Sequence, residues 1–334
     1  MRIAINGMGR IGRLLFRRLI ENKQFEIVAV NDIMPVENLA YLLKYDSVYG
    51  TYADQINATD NSLIVNRIKV VNRIKVQAFK NADPEQLPWK ELNVDVVLEC
   101  SGAFTDHDGA SKHLTAGAKK VLLSTTGSED IPLLVYGFNQ NGSAKQLSIL
   151  PPGGCMTNCS VHVLYILNSI GIQSLHVNIL HSYTSRQALV DMPHTQFRRG
   201  RAAAESIIPV AIDLHKSLNR LFPALKDKIN VFSTRVPVAN GAMASFTIQL
   251  KSNSSAEEIN SLFRTAAQSE YKGIIDYTEE PLVSLDIKGN SHSCIIDGTQ
   301  TAVIGNHARV VAWFDNEYGF TSRMIDWLNY WENK

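Results

Sequence analysis

Three glycines, set as Gly7-Met8-Gly9-Arg10-Ile11-Gly12, constrain this chain more than any other stretch. The residues before them, Arg2 to Asn6, read as a buried strand, and Arg10 to Glu21 read as a helix. A strand that turns on glycines into a helix leaves the first helical N–H groups unpartnered and lets a ligand approach the backbone. By itself such a run is a weak signal and fits an ordinary glycine-rich turn. Here Asp32 ends the next strand, Glu26 to Asn31, 20 residues after Gly12. That is the spacing at which a carboxylate takes the ribose diol of a dinucleotide. The same carboxylate repels a 2′-phosphate. The expectation is an α/β, Rossmann-type dinucleotide-binding domain that uses NAD rather than NADP. Gly7, Gly9, Arg10, Ile11, Gly12 and Asp32 are its candidate cofactor contacts.

Apolar runs continue through the first half at Val94–Leu98, Lys120–Ser124 and Leu133–Tyr136, with helical character at Asp108–Thr115. Strand–helix–strand alternation argues for a parallel sheet covered on both faces. From about residue 150 the texture changes. Ser245–Leu250, Leu282–Ile287, Thr301–Ile304 and Arg309–Phe314 have strand character and lie close together, which predicts a mixed or antiparallel sheet in an α+β second domain. Ser182–Ala202 has little periodicity and reads as a long ordered loop, a kind of segment that is usually functional. Ser322–Trp331 reads as a closing helix. The hexapeptide VNRIKV stands twice in tandem, at Val65–Val70 and Val71–Val76. Six residues are too few for a solenoid unit, so the expectation is a lengthened surface hairpin.

The chain has 334 residues, enough for two domains with separate cores. Its formal charge of +1 gives no general attraction for nucleic acid or an anionic membrane. No apolar run approaches the roughly 20 residues of a spanning helix, and the N-terminus has no signal-peptide layout. Four cysteines, Cys100, Cys155, Cys159 and Cys294, show no framework spacing. Free thiols in a reducing compartment, and hence a cytoplasmic location, are expected; no metal is.

Cys155 follows the pair Gly153-Gly154 and opens an apolar helical pattern that runs to Leu167. In the first turn of a helix the macrodipole favours a thiolate. A cysteine is more often a small buried hydrophobe, the reading that suits Cys100, Cys159 and Cys294. A thiolate nucleophile needs an imidazole partner, and spacing does not choose among nine histidines. His181 stands out modestly, because it ends the apolar run Val177–Leu180 where a strand delivers a side chain to a loop.

These residues resemble the glyceraldehyde-3-phosphate dehydrogenase family. The likeness rests on Gly7–Gly12 with Asn31-Asp32, on Leu42–Val48, and on Cys155-x-Thr157-Asn158-Cys159. His181-Ser182-Tyr183-Thr184, Arg199-x-Arg201-Ala202-Ala203-Ala204, Arg235-Val236-Pro237 and Asp315–Gly319 extend it in order over essentially the whole chain. The resemblance implies a dinucleotide-binding domain at 1–154, a catalytic domain at 155–316, and a C-terminal helix at about 317–334 that returns to the first domain, in a homotetramer. It implies Cys155 as nucleophile, with His181 as general base and helper to the oxyanion beside the Cys155 N–H. Ser124 joins the cofactor contacts, and Asn316 orients the nicotinamide carboxamide. Thr184 and Arg235 hold the substrate phosphate, for which a guanidinium fork is suited. Arg198, Arg199 and Arg201 are read as structural. The reaction so implied is NAD-dependent oxidation of a phosphorylated aldehyde through a hemithioacetal and a thioester.

The chain also departs from the family pattern. Pro151-Pro152-Gly153-Gly154 replaces Ser-Asn-Ala-Ser, Met156 replaces Thr, and Ile212-Asp213 stands where Thr-Gly is usual. Those hydroxyls serve the inorganic phosphate that attacks the thioester, so phosphorolysis is expected to be weak. The alternative is hydrolysis of the thioester, as in the related erythrose-4-phosphate dehydrogenase, which Ser206–Val210 and His292–Thr301 also resemble. A second alternative is an NAD-binding regulatory protein in which the prolines and glycines have impaired catalysis.

Overall fold

The computed structural model describes residues 1–67 and 72–333 and falls into two units. The first comprises Met1–Leu134, Gln140–Gly153 and Met324–Lys334; the second comprises Val135–Asn139 and Gly154–Arg323.

In the first unit, Arg2–Asn6 (β1) is buried at every residue but the first, the pattern of a strand covered on both faces. Arg10–Leu19 (α1) leads to Glu26–Asn31 (β2) and Val36–Lys44 (α2). Next come Gln55–Thr59 (β3), Ser62–Arg67 (β4), Asn72–Phe79 (β5) and Val96–Glu99 (β6). His107–Thr115 (α3) is capped by the Asp106 carboxylate, which accepts the Gly109 N–H at 2.7 Å. Lys120–Leu123 (β7) and Ile149–Leu150 (β8) follow. The strand order is β3-β4-β5-β2-β1-β6-β7-β8. Six strands, from β5 to β8, are mutually parallel, and β3 and β4 extend the sheet antiparallel. The chain departs to opposite sides of β1, pairing it with β2 and with β6. Ligands bind beyond the strand ends at such a switch point.

The two VNRIKV copies contribute to β4 and β5, which pair antiparallel with Val65 opposite Ile74 and Arg67 opposite Asn72. The expected hairpin tip, 68–71, lies outside the described residues. Residues near the C-terminus are held within this unit. The Trp331 indole donates to Ala144 O at 3.0 Å, and the Lys120 ammonium lies 4.9 Å from that ring.

Two expected strands are absent. Leu133–Tyr136 runs into a turn, because Pro132 cannot donate to a ladder and the Val135 N–H bonds the Asn139 side chain instead at 2.7 Å. The place beside β7 is taken by β8, with Val121 opposite Ile149. Leu282–Ile287 is also a turn: the Asp286 carboxylate accepts the Val283 N–H at 2.7 Å, and only Ile287 of its large apolar side chains is fully buried.

In the second unit, Cys155–Asn168 (α4) precedes Ile172–Ser182 (β9) and Ile208–Val210 (β10). Leu214–Leu221 (α5), Ile229–Val236 (β11), Ala242–Leu250 (β12) and Ala256–Gln268 (α6) follow. The last elements are Ile275–Thr278 (β13), Cys294–Asp297 (β14), Ala302–Ile304 (β15), His307–Phe314 (β16) and Tyr318–Glu332 (α7), which from Met324 belongs to the first unit. The sheet order is β10-β11-β9-β12-β16-β14-β13, with β15 paired to β16. It is mixed: β9 runs parallel to β11 and antiparallel to β12. Alternate residues of β9 and β12, among them Val177, Ile179, Phe246 and Ile248, enter one apolar core with Val163 and Leu167 of α4 and Phe263 of α6. Each such side chain contributes about 1.5–3 kcal/mol on burial. The segment after β9 is an ordered loop tied across itself, with Ala188 N–H on Arg199 O at 3.0 Å and Met192 N–H on Gly200 O at 2.9 Å.

Candidate active site

At the glycine turn of the first unit, Gly7 has φ +89°, and a Cβ there would lie 2.3 Å from the Ser101 amide nitrogen. A Cβ on Gly12 would lie 2.1 Å from Gly7 O, whereas Gly9 faces open space. Two glycines are therefore demanded by packing and the third leaves room for a ligand. Gly9 caps α1 without a side-chain bond, and no acidic residue stands in the first turn. The leading N–H groups, those of Arg10 and Ile11 among them, carry the positive end of the helix dipole. The Arg10 guanidinium itself is engaged with Asp46 and lies 5.7 Å from the Tyr49 ring centre. Asp32, just past β2, accepts the Met8 N–H at 2.6 Å and the Met34 N–H at 3.0 Å, so its carboxylate is held beside the glycine turn. Ser124 leaves β7 with its N–H on Glu99 O at 2.9 Å. An open Gly9, a helix start without a side-chain cap and a fixed carboxylate fit an anionic dinucleotide.

The second unit gathers the candidate reactive groups. Cys155 is the first residue of α4, and its Sγ lies 3.7 Å from His181 Nε2. His181 is the penultimate residue of β9. Its Nδ1 lies 2.8 Å from Ser182 O, an acceptor only, so Nδ1 carries the proton and Nε2 turns its lone pair to the sulfur. In the sheet His181 stands between Arg235 of β11 and Ala242 of β12. Arg235 is buried, donates from Nη1 to Ser182 O at 3.3 Å, and has no partner for Nε. Asn316, between β16 and α7, accepts from Ser182 Oγ at 3.1 Å and from the Gly241 N–H at 2.8 Å. These bonds fix its amide with the NH₂ turned away from both donors. Thr184, in the loop after β9, bonds Gln187.

Burial pushes the Cys155 thiol up to about 11, opposed first by the Arg235 cation and then by amide N–H groups of the helix start. Burial pulls the His181 imidazole down to about 3, and Arg235 adds to the effect against the bond to Ser182 O. At neutral pH the free pair is thus thiol and neutral imidazole, an acid facing a base. Burial likewise lowers Arg235 to about 10, with Arg199 and Arg186 pressing in the same direction.

The sequence expectations did not assign roles to Ser182, Gln187 or Arg186, and read Arg199 as structural. Ser182 holds His181, Arg235 and Asn316 at once. Buried donors on Gln187 (Nε2), Arg199 (Nη1) and Arg235 (Nε) have no partner. The sequence signal for Ser182, Arg186, Gln187 and Arg199 was the loop Ser182–Ala202, which carries all four.

Residues that depart from the family pattern are accommodated locally. Gly153 has φ +79°, a conformation glycine adopts without strain. Gly154 is extended, and its carbonyl accepts the Asn158 N–H and Nδ2 at 2.9 Å each, so α4 starts regularly. Met156 and Ile212 pack against the core. Asp213 is largely exposed and pairs with Lys216 at 3.0 Å, so its carboxylate is turned to solvent.

Comparison with known proteins agrees over both units. Residues 1–107 match the family model of the glyceraldehyde 3-phosphate dehydrogenase NAD binding domain, and residues 154–316 match that of the C-terminal domain. Glyceraldehyde-3-phosphate dehydrogenase of Borreliella burgdorferi is 42% identical over 335 residues, covering 98% of each chain. The Geobacillus stearothermophilus protein of that name is 40% identical over 337 residues, 100% of this chain and 99% of its own. Glyceraldehyde-3-phosphate dehydrogenase 2 of Bacillus subtilis is 39% identical over 333 residues, 99% and 96%. Likeness of this extent, on a scaffold that fits NAD, makes the chain an NAD-dependent oxidoreductase that belongs to the glyceraldehyde-3-phosphate dehydrogenase family.

Proposed function

We propose that this enzyme oxidises the aldehyde of a phosphorylated sugar, glyceraldehyde 3-phosphate or erythrose 4-phosphate, through a thioester on Cys155. The observation that carries the reading is the 3.7 Å approach of Cys155 Sγ to a His181 Nε2 whose tautomer is set for proton acceptance. His181 takes the thiol proton as sulfur attacks the carbonyl carbon. The resulting oxyanion is stabilised by the Cys155 N–H and by the protonated imidazole. NAD, when bound, supplies the hydride acceptor that turns this hemithioacetal into a thioester. Arg235 and Thr184 hold the substrate phosphate, and Asn316 presents its NH₂ to the carboxamide of the cofactor. Gly7, Gly9, Arg10, Ile11, Gly12, Asp32 and Ser124 form the remaining cofactor contacts.

Thioester hydrolysis is the favoured final step, supported by the apolar Met156 and Ile212 where hydroxyls would serve an attacking phosphate. The regulatory alternative has less support, since the regular start of α4 leaves Cys155 facing His181. We further propose a homotetramer in the cytoplasm, with a domain division near residue 154. The exposed Leu189, Val190, Met192 and Phe197 on the loop after β9 suit self-association. No helix among the described residues is long and apolar enough to cross a membrane. The deciding experiment is NADH formation with each aldehyde phosphate, with and without inorganic phosphate. Turnover that needs phosphate would overturn the hydrolytic step, and no NADH from either sugar would overturn the substrate assignment.

A further inference from the structure

Glu99, the last residue of β6, is a buried carboxylate at which a chain of hydrogen bonds ends from both directions. Its Oε2 accepts Asn6 Nδ2 at 2.5 Å and the His113 Nε2 proton at 2.9 Å. Its Oε1 accepts the Ser101 N–H at 2.7 Å and Ser101 Oγ at 2.5 Å. Beyond these, His113 Nδ1 accepts the Trp89 indole N–H at 3.0 Å. Asn6 Oδ1 accepts Asn31 Nδ2 at 2.7 Å, and Asn31 Oδ1 accepts the Asn81 N–H at 2.9 Å.

The direction of this chain cannot be reversed. An indole and a backbone N–H only donate, so His113 must carry its proton on Nε2 and Asn6 must turn its NH₂ towards Glu99. Four donors therefore converge on Glu99, and an ionised carboxylate, which only accepts, satisfies all of them. An amide cannot: its NH₂ would meet the Asn6 and His113 donors on one side, or the Ser101 backbone N–H on the other, even with the Ser101 hydroxyl turned to accept.

The anchored residues are those that shape the ends of three strands. Asn6 leads into Gly7, whose N–H bonds Asn31 O at 2.8 Å. Asn31 leads into Asp32. Ser101 is the residue whose backbone nitrogen crowds the Cβ position of Gly7. We propose that Glu99 is a positioning residue of the NAD site, and that its charge holds the ends of β1, β2 and β6 at the spacing the pyrophosphate and ribose require. The proposal rests on NAD binding by this unit and is independent of the chemistry at Cys155.

Glu99→Gln tests it, with binding of NAD and of ADP-ribose read by calorimetry and the folded fraction by circular dichroism. The folded variant is expected to bind both ligands at least tenfold more weakly, by the same factor. Its KM for NAD should rise while kcat at saturating NAD stays within twofold. His113→Gln, which keeps a donor, should hold NAD within threefold of the parent, and His113→Leu should not. Parent-like binding by folded Glu99→Gln, or a fall in kcat with KM for NAD unchanged, would overturn the proposal. If Glu99→Gln is not recovered folded, Ser101→Ala decides: weaker NAD binding at unchanged melting temperature supports the role, and parent-like binding overturns it. A parent that binds neither NAD nor ADP-ribose would remove the NAD reading and this one with it.

Discussion

Cys155 Sγ faces His181 Nε2 at 3.7 Å, and the proton on the other ring nitrogen is committed to the Ser182 carbonyl. The imidazole therefore meets the sulfur as an acceptor. Replacing His181 by Asn removes the base and leaves the thiol in place. NADH formation is expected to fall about 10²–10⁴-fold in kcat, the usual size of a general-base contribution. Stoichiometric alkylation of Cys155 at high pH should persist, which separates loss of the base from loss of the fold.

Arg235 acts on two titrations with definite signs. Its positive charge lowers the Cys155 thiol and also lowers the His181 imidazole. Arg235→Leu should raise both, so the pH profile of iodoacetamide alkylation moves upward. Loss of charge-assisted bonds to phosphate should raise KM for the aldehyde phosphate about 10- to 100-fold. An unshifted alkylation profile would remove Arg235 from the electrostatics of the thiol.

His162, on α4, is fully buried with neither ring nitrogen hydrogen-bonded. Burial, assisted by Arg323, pulls it down to about 3 from its ordinary 6.5. Between those values the unfolded chain binds a proton that the folded one excludes, so stability falls as pH drops from about 6.5 to 3. His162→Leu removes both the unsatisfied nitrogens and this proton linkage. A gain of about 1–3 kcal/mol in urea unfolding at pH 5 is expected, with a smaller gain at pH 8.

Asp32 holds the Met8 N–H at 2.6 Å, and on the proposed cofactor site its charge would repel a 2′-phosphate. Asp32→Ala should weaken NAD and improve NADP relative to it, read as the ratio of kcat/KM for the two cofactors. An unchanged ratio would place the discrimination elsewhere.

Much of the first unit was legible because its signals are local. Glycines required by contact, apolar runs of strand length and the Asp32 spacing all lie within a few dozen residues. The failures at Leu133–Tyr136 and Leu282–Ile287 have a shared cause. Apolar residues there suggested strands, but Pro132 with the Asn139 side chain, and the Asp286 carboxylate, gave the backbone a turn to satisfy instead. In the second unit the pairing of Cys155 with His181 depends on where α4 lies over β9, which chain spacing does not encode, so spacing marked His181 only as the end of an apolar run and the family resemblance supplied its role. Glu99 went unmarked, because a lone acidic residue after Val-Val-Leu looks ordinary until the donors around it are in place.

The strand alignment at His181 has a consequence for what the fold tolerates. Arg235, His181 and Ala242 are opposed across β11, β9 and β12. Side chains alternate along a strand, so inserting or deleting one residue before His181 in β9 would invert its parity and point the imidazole to the other face. Two residues would restore the face but move the ring by about 7 Å, far from both sulfur and guanidinium. Length changes within β9 are thus forbidden even where its hydrophobic pattern is kept in full.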